Sequence, residues 1–169
     1  LDRGSWTTTA SLTRYGTGLR FPDFNDTDFR SAVEQDVVRT ELDVRVAPRL
    51  RVAAGLAAEG LAYDNLARSG GTVFQEGRGT GALYGGFAQA ELGSPGDWLA
   101  EVGVRLDHWR PDPGDPVTVA SPRLALKGFF AGSRWAVKGS VGRYTQFLHS
   151  LRDEELPLGL DIWVLSGER

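Results

Sequence analysis

Val38-Arg39-Thr40-Glu41-Leu42-Asp43-Val44-Arg45-Val46 decides the fold. Val38, Thr40, Leu42, Val44 and Val46 share one parity, and Arg39, Glu41, Asp43 and Arg45 share the other. Side chains of a strand alternate between its two faces, so this stretch predicts a strand with one apolar and one charged face. Ala47-Pro48-Arg49 makes a short turn. Leu50, Val52, Ala54, Leu56 and Ala58 then resume the apolar face, opposed by Arg51, Ala53, Gly55, Ala57 and Glu59. A helix over Val52–Ala67 would suit the alanines, but Gly55 and Gly60 cost it about 1 kcal/mol each. The preceding strand also needs a hairpin partner, which a second strand supplies.

The pattern recurs outward from this hairpin. Tyr84, Gly86, Ala88, Ala90 and Leu92 oppose Phe87, Gln89 and Glu91, and the turn Gly93-Ser94-Pro95-Gly96-Asp97 follows. Ala100, Val102, Val104 and Leu106 oppose Glu101, Gly103, Arg105 and Asp107. Leu124, Leu126 and Phe130 oppose Arg123, Ala125 and Lys127. Ala131-Gly132-Ser133-Arg134 leads to Trp135, Val137 and Val141, opposed by Lys138, Ser140 and Tyr144. The first strand, over roughly Trp6 to Phe21, is Thr-rich, with poorly separated faces.

The expectation is an all-β chain: an antiparallel up-and-down meander of about seven strands of ~9–14 residues, near the length of a tilted membrane strand. Connections near Pro48, Pro95 and Gly132 read as tight, and those at Pro22–Gln35, Asn65–Thr80, Arg110–Ser121 and beyond Gln146 as long and polar. Short turns on one side and long loops on the other is the plan of a bacterial transmembrane β-barrel, with the long loops extracellular. Trp98 and Trp135 begin strands beside tight turns, while Tyr63, Trp109, Tyr144 and Phe147 lie at the opposite ends. Two interfacial girdles would have this distribution. Trp98 and Trp109 differ in parity, however, so an unbroken strand cannot turn both toward lipid.

Composition narrows the classes. Among 169 residues there is no Cys, which removes disulfide scaffolds and thiol chemistry. Lys+Arg 19 against Asp+Glu 22 gives a net charge of -3 with no basic stripe, so a nucleic-acid partner has no support. No stretch reaches the ~20 apolar residues of a membrane helix. A soluble barrel such as a lipocalin shares the alternation but wants bulky apolar residues inside and charges outside. Here the apolar face is small and aliphatic and the other carries both charge signs, which suits a wet lumen and a lipid-facing exterior.

Catalytic and metal constellations are thin. His108 and Asp107 are neighbours on a strand and point apart. His149 stands beside Ser150 and near Asp153, Glu154 and Glu155, where a solvated turn is the simpler reading. Asp23, Asp26 and Asp28 lack the later Gly and Glu of a calcium loop. The sequence therefore predicts no catalytic residue, no metal and no cofactor, and no enzyme activity.

Ser121-Pro122-Arg123-Leu124-Ala125-Leu126-Lys127 resembles the "SPRL" segment that opens a barrel strand in TonB-dependent outer-membrane receptors. Trp135 to Gln146, with Lys138-Gly139-Ser140 and Gly142-Arg143-Tyr144-Thr145-Gln146, is similar to the strand that follows there. Val102-Gly103-Val104-Arg105-Leu106-Asp107 resembles a recurring strand of the same family, and Leu156 to Trp163 a following loop. The resemblance spans Ala88–Trp163 and is only architectural before that.

It implies that residues 1–169 are a single segment, roughly a third, of a receptor barrel of about 22 strands. The start at Leu1 and the end at Arg169 add to the expectation of a fragment. The plug domain, the TonB-contacting box and the closing strands would be absent from it. It further implies the outer membrane of a Gram-negative-type bacterium and TonB-energised uptake of a scarce nutrient: ferric siderophore, haem, cobalamin or oligosaccharide. The implied partners are the lipid bilayer, the protein's own plug, TonB and a small nutrient ligand. The ligand-facing parts would be Asn65–Thr80, Arg110–Ser121 and Phe147–Arg169. Glu101, Arg105, Arg123, Lys127 and Lys138 are the candidate lumen-facing residues. A passive porin or a soluble β-barrel binding module remains the alternative.

Overall fold

The computed structural model describes residues 4–94, 96–130, 132, 134–152 and 161–167. Among these there is no helix. β1 (Gly4–Phe21), β2 (Thr27–Ala47), β3 (Leu50–Ser69), β4 (Thr72–Ser94), β5 (Trp98–Asp112), β6 (Val117–Phe130) and β7 (Trp135–Gly142) form one antiparallel sheet in chain order. β8 (Leu148–Arg152) and β9 (Asp161–Leu165) make a separate two-stranded sheet. The seven-stranded meander curls into a half-barrel, open at its β1 and β7 edges.

Alternation fixes the register, because a slip of one residue would swap the faces of a whole strand. Leu42, Ala54, Ala88, Val104 and Pro122 lie in one cross-strand row. Val44, Val52, Ala90, Val102, Leu124 and Val141 lie in the next row of the same face. The opposite face carries rows such as Asp43, Ala53, Gln89, Gly103, Arg123 and Gly142. Ala53 is 3% exposed and Leu56 67%, which makes the mixed polar face the inside of the curl and the apolar face the outside.

The strands are longer than the alternation suggests. β2, β3 and β4 run 21, 20 and 23 residues. Pro22–Gln35 and Asn65–Thr80, expected as long loops, are mostly paired strand. β1 turns into β2 through Pro22–Asp26, and β3 into β4 through Gly70-Gly71 alone. Both glycines have positive φ, 56° and 79°, as a two-residue hairpin turn of the favoured twist demands. The two hairpin tips are tied together: Gly70 N–H donates to Asn25 O at 2.6 Å, and the Thr27 and Ser69 hydroxyls meet at 2.7 Å. Asp28, 2% exposed, sits between Arg30 (2.9 Å) and Arg68 (3.1 Å). Arg110–Ser121 is likewise strand apart from 113–116.

Among the described residues the buried apolar set is small. The chain's accessible surface is 11881 Å², against about 8,200 Å² for a compact monomer of this mass. Trp109 is the one large side chain among the described residues that is fully enclosed.

Candidate functional site: an apolar outer band and a charged inner wall

On the outer face, strand after strand is uncharged over the same height. β5 presents Trp98, Ala100, Val102, Val104 and Leu106 before His108 and Arg110. β2 presents Val38, Thr40, Leu42, Val44 and Val46 below Asp36, and β4 presents Ala82 to Leu92 below Thr80 and Arg78. Val38, Leu42, Leu56, Tyr84, Val102, Leu106, Leu126 and Val141 are each at least half exposed. At ~3.3 Å per residue the apolar runs of β2 and β5 are about 26 Å long and that of β4 about 33 Å. A tilt of ~40° reduces this to a band about 20–25 Å tall, close to the ~25 Å lipid-facing band of outer-membrane barrels. Trp98 and Trp135, 40% and 72% exposed, stand at its turn-side rim, as the sequence predicts.

The other predicted girdle is corrected. Tyr63 and Trp109 point inward and are buried, and Phe147 is buried against Trp109 with ring centroids 5.3 Å apart. The parity conflict between Trp98 and Trp109 resolves with no break in β5: one faces out and the other in. Tyr144 is 81% exposed but lies beyond β7.

All five predicted lumen residues fall on the inner face. Arg105 forms a two-pronged pair with Asp107, its Nε donating to Oδ1 at 2.8 Å and to Oδ2 at 2.9 Å. Asp107 is 4% exposed, so this pairing satisfies a carboxylate cut off from water. Arg123 lies 3.6 Å from Glu101 and donates to Gln89 Oε1. Lys127 lies 4.6 Å over the Phe129 ring. Lys138 sits directly across from Lys127 in the register. The cross-strand pairs Asp43–Arg51 (2.7 Å) and Gln35–Glu59 (2.6 Å), not singled out from the sequence, continue the same wall.

Inner glycines make room for these larger neighbours. A Cβ on Gly85 would lie 2.6 Å from the Arg105 guanidinium and 2.7 Å from Asp107 Oδ1. One on Gly81 would overlap the Trp109 ring. Alternation hides this partnership, because a glycine carries no mark of the side chain that covers it.

The remaining polar candidates are tied into local contacts. His108 Nδ1 meets Thr118 Oγ1 at 2.9 Å on the outer face, opposite in direction to Asp107, as expected. His149 Nε2 meets Ser166 Oγ at 2.9 Å, while Asp153, Glu154 and Glu155 lie outside the described residues. Asp26 holds Arg20 at 3.0 Å, and that hydrogen bond together with the carboxylate charge raises the Arg20 pKa above its ordinary value. Among the described residues, no group of three His, Asp or Glu is placed to hold a metal ion. Of the Phe147–Arg169 stretch, β8, β9 and a short turn are described, and 153–160 and 168–169 lie outside the described residues.

Compared with protein-family models, curated proteins and solved structures, the chain matches none of them.

Proposed function

We propose that this chain is part of the wall of an outer-membrane β-barrel, and that the barrel is a TonB-dependent receptor that takes up a scarce nutrient. The outer band carries this reading: a face about 20–25 Å tall with no Asp, Glu, Lys or Arg, backed by an inner wall that carries charges of both signs. Soluble monomers rarely expose so large an apolar surface, and here it is continuous over every strand of the sheet. Lipid is the environment in which such a face costs nothing.

Open sheet edges are not tolerated in hydrocarbon. The β1 and β7 edges are therefore joined, in the membrane, to further strands of the wall. β2, β3 and β4 rise past the band as a polar extension, which on this reading stands outside the cell. The tight turns at Pro48 and after Ser94 face the periplasm. The step from barrel to receptor rests on the strand motifs at Val102–Asp107, Ser121–Lys127 and Trp135–Gln146. Energised uptake distinguishes the receptor from a passive pore with the same wall.

The test uses bacteria that make the full-length protein, with TonB intact or deleted. Growth is measured on limiting ferric siderophores, haem, cobalamin or oligosaccharides. The receptor reading predicts that one nutrient supports growth only when both the protein and TonB are present. Growth that depends on the protein and is indifferent to TonB would assign a passive pore instead.

A further inference from the structure

The charges of the wall change face at one height. On β2, Arg39, Glu41, Asp43 and Arg45 share the inner parity, whereas Arg30, Glu34 and Asp36 share the outer one. β3 makes the same switch between Glu59, inside, and Asp64, outside, and β5 between Asp107 and Arg110. The switch falls at the top of the apolar band. Above it, the inner face of β1–β4 carries no charged residue from the row of Thr13, Gln35, Leu61 and Gly81 to the row of Leu19, Phe29, Ala67 and Gln75.

Part of that face is covered. β9 lies against β2, β3 and β4, where Asn65, 5% exposed, donates to Trp163 O at 2.7 Å. Burial under β9 accounts for the missing charges there, because an unpaired buried charge is costly. It does not account for β1. β9 meets β1 at the Tyr15 ring, which the Trp163 ring contacts edge-on at 6.4 Å. Ser11 and Thr13 are exposed and Tyr15 is half exposed. A wet strand face has no need to avoid charge, and the outer face of β1 carries Arg14 and Arg20. Yet its inner face alternates hydroxyl after hydroxyl, Ser11, Thr13, Tyr15 and Thr17, over about 20 Å at ~3.3 Å per residue.

The upper end of this row has two unmade hydrogen bonds. Thr17 Oγ1 and Trp163 Nε1 are enclosed and without a hydrogen-bond partner. Buried polar groups are ordinarily paired, so a hydroxyl supplied from outside the chain can satisfy either. Tyr15 stands between them with a flat apolar ring. A pyranose has that same mixed character, with C–H groups on a ring face and hydroxyls around its edge. An anionic ligand such as haem or a tris-catecholate iron complex finds no cation on this face, which leaves its charge without a partner.

We propose that the inner face of β1 from Ser11 to Thr17 is a subsite for an uncharged saccharide unit, with the sugar ring on Tyr15 and its hydroxyls on Thr13 and Thr17. Among the nutrient classes named above, this selects a neutral oligosaccharide. The proposal rests on the reading that the inner face lines an uptake passage, and its test separates the two.

The test is calorimetric binding to the full-length protein in detergent micelles. The probes are a panel of neutral hexasaccharides of glucose, xylose, mannose, galactose or fructose, with haemin, a ferric tris-catecholate complex and cyanocobalamin as competitors for the assignment. At least one hexasaccharide should bind about tenfold or more tighter than each of the other three. Tyr15→Ala should weaken that binding about tenfold, as loss of an aromatic anchor does, and Tyr15→Phe should stay within about threefold. Thr17→Val keeps the side-chain shape and serves if Tyr15→Ala does not fold; it should weaken binding about threefold to tenfold. Failure of every hexasaccharide to bind, or tighter binding of haemin, the iron complex or cyanocobalamin, would overturn the saccharide assignment. Saccharide binding unchanged by both Tyr15→Ala and Thr17→Val would overturn the subsite. TonB is absent from this assay, so a passive sugar pore passes it and fails the growth test above, whereas a haem receptor passes the growth test and fails here.

Discussion

Val104→Arg places a charge in the middle of the outer band. Val104 is 43% exposed and lies between Ala88 and Pro122 in its row. It is six residues from Trp98 at one rim and four from His108 at the other. At ~3.3 Å per residue and a tilt of ~40°, those are depths of about 15 and 10 Å. An arginine at the bilayer midplane of a barrel costs about 2–4 kcal/mol, a shift of roughly 30- to 700-fold in the folding equilibrium. On a water-exposed face the same change stays within about 0.5 kcal/mol. Ala125→Arg is the control. It lies on the inner face directly across from Glu101, so the new guanidinium finds water and a carboxylate. The measurement is reversible urea unfolding of the full-length protein in phosphatidylcholine vesicles, followed by tryptophan emission. The expected result is a loss of at least about 2 kcal/mol for Val104→Arg and less than about 0.5 kcal/mol for Ala125→Arg. Equal small effects for both variants would refute the lipid-facing assignment.

Other consequences follow from the inner wall and its tips. Arg105→Ala strands the buried Asp107 carboxylate and should cost about 1–3 kcal/mol in the same unfolding assay; Asp107→Asn added to it should recover part of that loss. Trp109→Ala removes the one fully enclosed large side chain and should cost about 3 kcal/mol, with loss of the near-ultraviolet circular dichroism of the Trp109–Phe147 stack. Gly70→Val forces a β-branched residue into positive φ at a two-residue turn, at a cost of about 1–3 kcal/mol. Protease nicking between β3 and β4 should rise in that variant while the band itself stays protected.

The part of the sheet at the height of the apolar band was legible because one of its faces is apolar and the other polar. Val38–Val46 and Ala100–Asp107 alternate for that reason, and their register follows from it. The signal ends where both faces are mostly polar in sequence, even where the inner one is buried, as at Ser31 and Asn65. In Thr27–Gln35 and Asn65–Thr80 the strands stay paired apart from Gly70-Gly71, but neither side shows apolar alternation, so the sequence reads as polar loop. Ser69-Gly70-Gly71-Thr72 was the available clue, since two glycines between strand residues favour a two-residue hairpin turn. The inward direction of the five candidates Glu101, Arg105, Arg123, Lys127 and Lys138 follows from parity alone. Their partners are less visible: Asp107 stands two residues from Arg105 on the same strand, and Gly85 shows its purpose only once the adjacent strand is in register. The buried seat at Trp109 was misjudged because an aromatic at a strand end suits an interface girdle, and only parity argued against it. The inward fold of β8–β9 depends on contacts between residues as far apart as Asn65 and Trp163, which no local pattern encodes.

A spin-label scan along β5 tests directly which face of the sheet meets lipid. Single cysteines at each position from Leu99 to His108 are labelled in the full-length protein in lipid vesicles. Collisions with oxygen, which concentrates in lipid, are then compared with collisions with a water-soluble nickel complex. A lipid-facing outer band gives a period of two, with Ala100, Val102, Val104 and Leu106 favouring oxygen and Glu101, Gly103, Arg105 and Asp107 favouring the nickel complex or neither. Greater access of the nickel complex to the even-numbered positions would show the apolar face in water and rule out a lipid-facing band.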